Sequence, residues 1–366
     1  MSSKLKAGIV GCGGIANQKH FPALALLKEE IEITWFCDII KERAEKSCKE
    51  YGTPASKVTI DYHDILKDSS VDVVYVLTPN INHSPITCEA LAAKKHVMCE
   101  KPMAINYAEA KKMLVASKEY SKKLTIGYQN RFRRDSRVLF EQSRGGELGE
   151  IYFAKAHAIR RRGVPTWGVF PDKAKQGGGP LIDIGTHALD LTLWFMNNYE
   201  PESVLGQTFQ KLKDYPEGNM FGPWNPANFE TEDAAFGLVK MKNGATIYLE
   251  ASWALNVING KEASVTLCGT KAGAEMFGPQ HINQGYVVTN KIEHDIQMTS
   301  QPSEGGGIFG FEGAGSQAPQ DLEARQWIDA IKNNTEPLVT PEEAIVVTQI
   351  LEAIYESAHS GKAVYF

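Results

Sequence analysis

Val10-Gly11-Cys12-Gly13-Gly14-Ile15-Ala16 joins an apolar run, Ala7–Val10, to a segment patterned as a helix near 15–28, and its reading decides the fold. Gly11 permits a tight turn, and Gly13 lets a pyrophosphate approach the backbone. Ala16 stands where helix–strand packing needs a small side chain. Gly14 and Ile15 open the helix whose amino-terminal N–H groups would carry the phosphates. Alone this is a weak signal, since any tight strand-to-helix turn favours glycine. Its setting strengthens it. The next apolar run, Ile31–Cys37, ends at Asp38, 24 residues after Gly14. A carboxylate there accepts hydrogen bonds from an adenosine ribose and repels a 2′-phosphate, which favours NAD over NADP. The competing reading is an Asp capping the helix from Lys41, and Arg43 keeps NADP as the minority option.

Outward from this turn, the first 130 residues alternate short apolar runs with helical patterns. The runs are Ala7–Val10, Ile31–Cys37, Val71–Leu77, Val97–Cys99 and Leu124–Tyr128; helices are expected near 15–28, 41–51, 84–94 and 107–121. Most runs are continuous rather than alternating, as in strands covered on both faces. Asn106 with Glu109 predicts an N-cap for the last helix. Residues 1–130 therefore read as a doubly wound Rossmann domain.

After Arg131 the pattern changes. Ile151–Arg160 reads as a long strand and a helix follows near 183–197. Ala234–Met241 and Ala245–Trp253 form a hairpin about Lys242-Asn243-Gly244. Glu262–Leu267 and Gly285–Val288 add strands, and Ser303–Ser316 reads as a glycine-rich loop. Thr340-Pro341-Glu342-Glu343 announces a final helix with Ala344, Val347, Leu351 and Ile354 on one stripe, ending before Gly361. Residues 131–366 thus read as an α+β domain on a large, mostly antiparallel open sheet, its last helix packing back towards the Rossmann domain.

Composition excludes several classes. The chain has 366 residues, 43% hydrophobic and 23% charged, the mix of a globular protein. With 39 Lys plus Arg against 44 Asp plus Glu it is mildly acidic, so nucleic acid is not expected as a partner. No apolar run reaches the ~18 to 20 residues of a membrane span, and glycines interrupt the N-terminal run too early for a signal peptide. Six cysteines without a CxxC pair predict reduced thiols and a cytoplasmic setting. No HxH, HExxH or GxSxG pattern occurs, so neither a metal nor a serine nucleophile is expected.

Further segments carry a more specific signal: Thr78-Pro79-Asn80-Ile81-Asn82-His83, Glu100-Lys101-Pro102, Gly127-Tyr128-Gln129-Asn130-Arg131-Phe132, and Gly177-Gly178-Gly179 running on to Asp183-Ile184-Gly185-Thr186-His187-Ala188-Leu189-Asp190. In order and context the whole chain resembles the glucose–fructose oxidoreductase / inositol dehydrogenase (Gfo/Idh/MocA) family. The resemblance implies NAD(P)-dependent redox chemistry on a sugar, glucoside or cyclic polyol, and a homo-oligomer, dimer or tetramer, formed through the second sheet's open face. It also implies that Thr78, Asn80 and His83 meet the nicotinamide ribose, that Glu100 and Asn130 contact the cofactor, and that Lys101, Asp183 and His187 form the catalytic set, with Lys101 also near the cofactor.

The residue types suit that chemistry. Oxidising a secondary alcohol removes a hydroxyl proton as hydride leaves the same carbon, and imidazole has the pKa for the base. Asp183, His187 and Asp190, spaced four and three apart, are expected on one helix face, beside the apolar stripe of Ile184, Ala188 and Leu191. A lone His is ordinarily a hydrogen-bonded core residue; the Asp183 spacing and the resemblance favour His187 as the base. Lys101, at the carboxyl end of a strand, would hold the reacting oxygen and stabilise alkoxide character. Asp183 would accept a substrate hydroxyl, whereas Asp190 reads as a structural anchor. Arg160 and Arg162, on one strand face, and Trp167 are candidate substrate contacts, with a solvated edge an equal reading for the arginines. This stretch also resembles relatives that oxidise glucosides at C3. The rival functions are a redox-neutral glycosidase that retains NAD, and a nucleotide-sensing regulator without catalysis.

Overall fold

The computed structural model describes residues 4–277, 286–300 and 318–366, so the expected loop at 303–316 lies outside the described residues. The chain forms two compact units, Met1–Gln129 with Ala318–Ile345, and Asn130–Gln317 with Val346–Phe366.

The first unit is built on six parallel strands: β1 (Leu5–Val10), β2 (Ile31–Cys37), β3 (Lys57–Thr59), β4 (Val73–Val76), β5 (His96–Cys99) and β6 (Leu124–Ile126). Their order, β3-β2-β1-β4-β5-β6, reverses direction between β1 and β4, the place where open α/β sheets bind nucleotides. All four residues of β4 are buried, as a continuous apolar run predicts for a strand covered on both faces. The edge strand β3 carries Lys57 and Thr59 and has no apolar run to announce it. Helices occupy Lys41–Tyr51, His83–Ala92 and Tyr107–Glu119, and Asn106 caps the last by accepting the Glu109 N–H at 2.8 Å.

Ala318–Ile345 belongs to this unit, whereas the sequence reading groups it with the second domain. The reason is apolar. On the helix Pro319–Lys332, Ala324, Trp327 and Ile328 complete the core formed by Phe21, Leu24 and Leu27. Glu30 accepts ion pairs from Arg325 and Lys332 of the same helix.

Among the described residues the second unit carries nine strands: β7 (Ile151–Ile159), β8 (Pro201–Phe209), β9 (Ala234–Met241), β10 (Thr246–Ser252), β11 (Lys261–Gly269), β12 (Ala272–Phe277), β13 (Tyr286–Glu293), β14 (Ile296–Ser300) and β15 (Val364–Tyr365). The order is β14-β13-β12-β11-β7-β10-β9-β8-β15, antiparallel except for β7 beside β10. The β9–β10 hairpin turns at Gly244, φ +89°. β7 stops at Ile159, one residue short of expectation.

The helix Thr186–Met196 is buried along most of its length and packs on β7 and β11. Ile354 of the last helix lies against Gly206 of β8 and Gly237 of β9, where a β-carbon would clash. Ala344, Val347, Leu351 and Ile354 are all buried, and Gly361, φ +68°, ends the helix. On the other face of the sheet, Leu205, Leu238 and Tyr248 stand side by side across β8, β9 and β10, with Leu205 and Leu238 exposed.

Candidate active site

In the first unit the glycine turn is tied from two sides. Gly11 has φ +100°, and a β-carbon there would lie 2.5 Å from the Leu77 carbonyl at the end of β4. The Asp38 carboxylate accepts the Cys12 N–H at 2.9 Å through Oδ2 and the Ile40 N–H at 2.9 Å through Oδ1. Asp38 therefore ties the tip of β2 to the turn instead of capping the Lys41 helix through its own N-cap position. Ideal β-carbons on Gly13 and Gly14 meet nothing within 4 Å, so the turn presents bare backbone to open space. Ile15 is exposed beside them and Arg43 is exposed on its helix. Burial pushes the Cys12 thiol up to about 12, with Asp38 adding to the effect, so this cysteine is no nucleophile.

Around the ends of β4 and β5 the sequence-predicted residues gather. Thr78 follows β4, and its buried Oγ1 has no hydrogen-bond partner among the described residues. Asn80 is half-buried in the short turn Asn80–Asn82. The His83 ring is buried: Nδ1 lies 2.7 Å from the Pro102 carbonyl and Nε2 3.0 Å from that of Thr78. Burial pushes its pKa down, against the pull of those carbonyls. His83 thus sits between two loops, and its neutral ring, with a single N–H, donates to one of the two carbonyls.

Glu100 is the centre of a buried ionic cluster. Its Oε1 lies 2.7 Å from Lys19 Nζ and 2.8 Å from His20 Nε2, while Oε2 accepts the Lys101 N–H at 3.0 Å. Lys19 also pairs with Glu323 at 2.8 Å. Lys19 and His20 hold the Glu100 carboxyl well below the usual range despite its burial. Burial moves Glu323 the other way, to about 7. Lys101 itself is half-buried just beyond β5.

In the second unit, Gly177-Gly178-Gly179 leads into a widened π-type turn, Leu181–Gly185, ahead of the helix Thr186–Met196. Here the glycine surfaces are filled by protein. A β-carbon on Gly178 would lie 2.0 Å from the Tyr355 hydroxyl, and one on Gly179 2.5 Å from the Glu232 carbonyl. The buried Glu232 carboxylate accepts the N–H groups of Gly179 at 3.0 Å and Leu181 at 3.2 Å, and the Tyr355 O–H at 2.8 Å. Burial raises its pKa against those three donors. Glu232 thereby caps the turn from outside the segment.

Asp183 lies in the widened turn and His187 in the regular helix, both half-buried. The expected single stripe is corrected in one respect. Asp190 faces inward, fully buried, and receives Arg131 through Nε at 3.0 Å and Nη2 at 2.5 Å. A buried guanidinium needs a counter-ion, and this one takes Asp190 as a structural anchor. Asp183 Oδ2 accepts the indole N–H of Trp253 at 3.0 Å. Arg160 makes a two-point pair with Glu262, at 2.7 and 2.6 Å, and Arg162 donates to Asn256 at 2.9 Å. Trp167 is half exposed and edge-on to Phe221 at 4.8 Å. Asn130 begins the second unit. Sequence reasoning missed Glu232, Trp253 and the Glu323 arm of the first cluster; Arg131 was within a quoted motif without an assigned task.

The donor set of the first unit fits NAD: bare backbone at Gly13 and Gly14, a carboxylate at the end of β2, and an unsatisfied hydroxyl at Thr78. Among the described residues there is no group of three His, Cys, Asp or Glu side chains placed to hold a metal ion, and no helix long and apolar enough to cross a membrane. The strand order of the first sheet and its bare glycine turn define a dinucleotide-binding fold.

Comparison with known proteins specifies it further. The model for "Oxidoreductase family, NAD-binding Rossmann fold" matches residues 5–128 and that for "Oxidoreductase family, C-terminal alpha/beta domain" matches residues 141–366. The chain belongs to the Gfo/Idh/MocA oxidoreductase family. It is 34% identical to D-glucoside 3-dehydrogenase of Escherichia coli K12 over 99% of this chain and 98% of that one. Over 57% of this chain and 59% of the relative it is 33% identical to glucose-6-phosphate 3-dehydrogenase of Bacillus subtilis. Levoglucosan dehydrogenase, solved with NADH and levoglucosan, shares the fold with a TM-score of 0.83 over 99% of both chains at 21% identity. The protein is an NAD(P)-dependent oxidoreductase of a carbohydrate or polyol carbinol.

Proposed function

We propose that this enzyme oxidises the C3 carbinol of a D-glucoside, with His187 as general base, Lys101 holding the reacting oxygen and Asp183 orienting the sugar. The observation that carries the reading is the Asp183–His187 pair, held half-buried on a turn and helix that Glu232 and Trp253 brace. The C3 position and the glucoside rest on the full-length likeness to D-glucoside 3-dehydrogenase.

NAD, when bound, supplies the acceptor for the hydride that leaves carbon. The C3 hydroxyl proton passes to the imidazole of His187, and Lys101 offers its ammonium to the oxygen as negative charge develops. Asp183 takes a hydrogen bond from a neighbouring hydroxyl, selecting the face of the ring presented. Reduction of the 3-keto sugar is the same sequence reversed. Gly13, Gly14, Asp38 and Thr78 would hold the nucleotide, with His83 and Glu100 keeping the loops beneath it in place. Arg160 acts through Glu262 rather than as a free guanidinium, leaving Arg162 and Trp167 as the outer substrate contacts.

We also propose a homo-oligomer formed through the open sheet face, supported by the exposed row of Leu205 and Leu238 beside Tyr248. A Leu238→Glu variant should shift the mass by light scattering to the monomer.

The decisive experiment follows nicotinamide reduction with NAD or NADP over a panel of glucosides, free aldoses and inositols. Turnover on glucosides with NAD, a 3-keto product by NMR, and loss of about 100-fold or more in His187→Ala are expected. Glycoside cleavage without NADH accumulation would replace this reading with the redox-neutral glycosidase, and NAD binding without turnover would replace it with the regulatory protein.

A further inference from the structure

We infer that Trp253 is a positioning residue for Asp183, fixing the orientation of its carboxylate through the indole N–H; the inference rests on the catalytic set proposed above. Trp253 follows β10 and is wholly buried, which is costly for an indole unless its N–H finds an acceptor. That acceptor is Asp183 Oδ2, at 3.0 Å and 70 residues away in sequence. An indole donates and never accepts, so it engages only one oxygen and only as a donor to the carboxylate.

The ring has little freedom to do otherwise. The Trp253 backbone N–H donates to the Asp233 carbonyl at 3.0 Å, and its backbone carbonyl accepts the Gly163 N–H at 2.7 Å. Phe170 and Phe229 meet the indole edge-on, at 6.3 and 6.5 Å between centroids. Backbone on two sides and aromatic rings on two more leave the N–H aimed at one point. Asp183 needs such support, because it sits in the widened turn Leu181–Gly185 outside the regular helix that carries His187. The Arg160 guanidinium, fixed by its two-point pair with Glu262, contributes positive charge near the same carboxylate. A rigid donor therefore sets one Asp183 oxygen and with it the plane of the carboxylate.

The test replaces Trp253 with Phe and, separately, with 3-benzothienylalanine, which keeps the bicyclic shape and lacks the N–H. Both should lower kcat/KM for the glucoside about 10- to 100-fold, the loss of one hydrogen bond to a charged group, with the Kd for NAD within two-fold. In an Asp183→Ala background, which has no acceptor for the indole, the same replacements should change kcat/KM less than two-fold. In protein carrying 15N-tryptophan, Asp183→Ala should move the Trp253 indole N–H resonance and speed its exchange. The inference is overturned if the benzothienyl variant lowers the melting temperature yet keeps kcat and KM within two-fold, or if its loss is undiminished beside Asp183→Ala. A wild-type enzyme silent on every glycoside breaks the dehydrogenase reading and the role together; an active wild type with unaffected variants breaks the role alone.

Discussion

The molecule contains two glycine-rich junctions that look alike in sequence and work in opposite ways. At Gly11–Gly14, one carboxylate, Asp38, reaches in from a neighbouring strand to hold the turn, and the glycine surfaces at 13 and 14 stay open. At Gly177–Gly179, another carboxylate, Glu232, does the same holding, yet Tyr355 and the Glu232 backbone occupy the space a side chain would take. The first set of glycines lets a ligand approach; the second lets the protein approach itself. Glycine content alone therefore says little about ligand binding, and the vacant or filled volume beside the α-carbon decides.

Ranked by expected effect, five substitutions test this contrast. Asp190→Ala leaves the buried Arg131 without its counter-ion and should destabilise the second unit by about 3–5 kcal/mol, read by urea unfolding. An effect below about 1 kcal/mol would mean the guanidinium finds another partner. Gly178→Ala must displace Tyr355 and should cost about 1–3 kcal/mol, with the loss partly recovered in a Gly178→Ala, Tyr355→Phe double variant. Glu232→Ala orphans the Gly179 and Leu181 N–H groups for about 1–3 kcal/mol, and full stability in this variant would remove the cap from the account. Gly13→Ala is the counter-case: the melting curve should stay within about 0.5 kcal/mol while NAD binding, by calorimetry, weakens about ten-fold or more. Equal damage to folding at Gly13 and Gly178 would erase the distinction between the junctions.

The smallest effect is one of slope. In the unfolded chain the Glu323 carboxyl ionises at the ordinary 4.5, in the fold at about 7, so between those values only the unfolded chain gives up its proton. Glu323 therefore favours the fold most below 4.5, and its contribution declines as pH rises to about 7. Glu100, held well below its ordinary value, acts in the other sense, contributing at neutral pH and failing in acid. Glu323→Gln should flatten the decline between pH 4.5 and 7 in denaturant titrations, keeping an oxygen for Lys19. An unchanged slope would place the titrating group elsewhere.

Those residues also show what the sequence made legible. Ile31–Cys37, Ala234–Met241, the Asn106 cap and the 341–360 helix stood out because their signals are local: an apolar run, a capping pair, a 3.6-residue stripe. The Asp183–His187 pair was visible through spacing and resemblance. Glu232, Trp253 and Glu323 were not, because each meets its partner across 50 or more residues, and nothing in a lone acidic or aromatic side chain records that encounter. β14 escaped because all five of its residues are exposed, and β8 because only Pro201 and Val204 are buried, so no apolar run marks either.

The returning segment Ala318–Ile345 has a consequence for how the chain is made. A ribosome delivers residues in order, at roughly 5–20 per second, and domains generally fold as units on emergence. Here the first unit waits for Trp327 and Ile328 to close its core and for Glu323 to reach Lys19, while the intervening residues of the other unit are synthesised. For roughly ten to forty seconds the nascent nucleotide-binding sheet stands with an apolar seam open and a lysine half paired. Every described strand of the second sheet except β15 is synthesised before the first core can close. Vectorial synthesis thus interleaves the two units: most of the second is made while the first still lacks its closing helix, and the second then waits for its own last helix and β15.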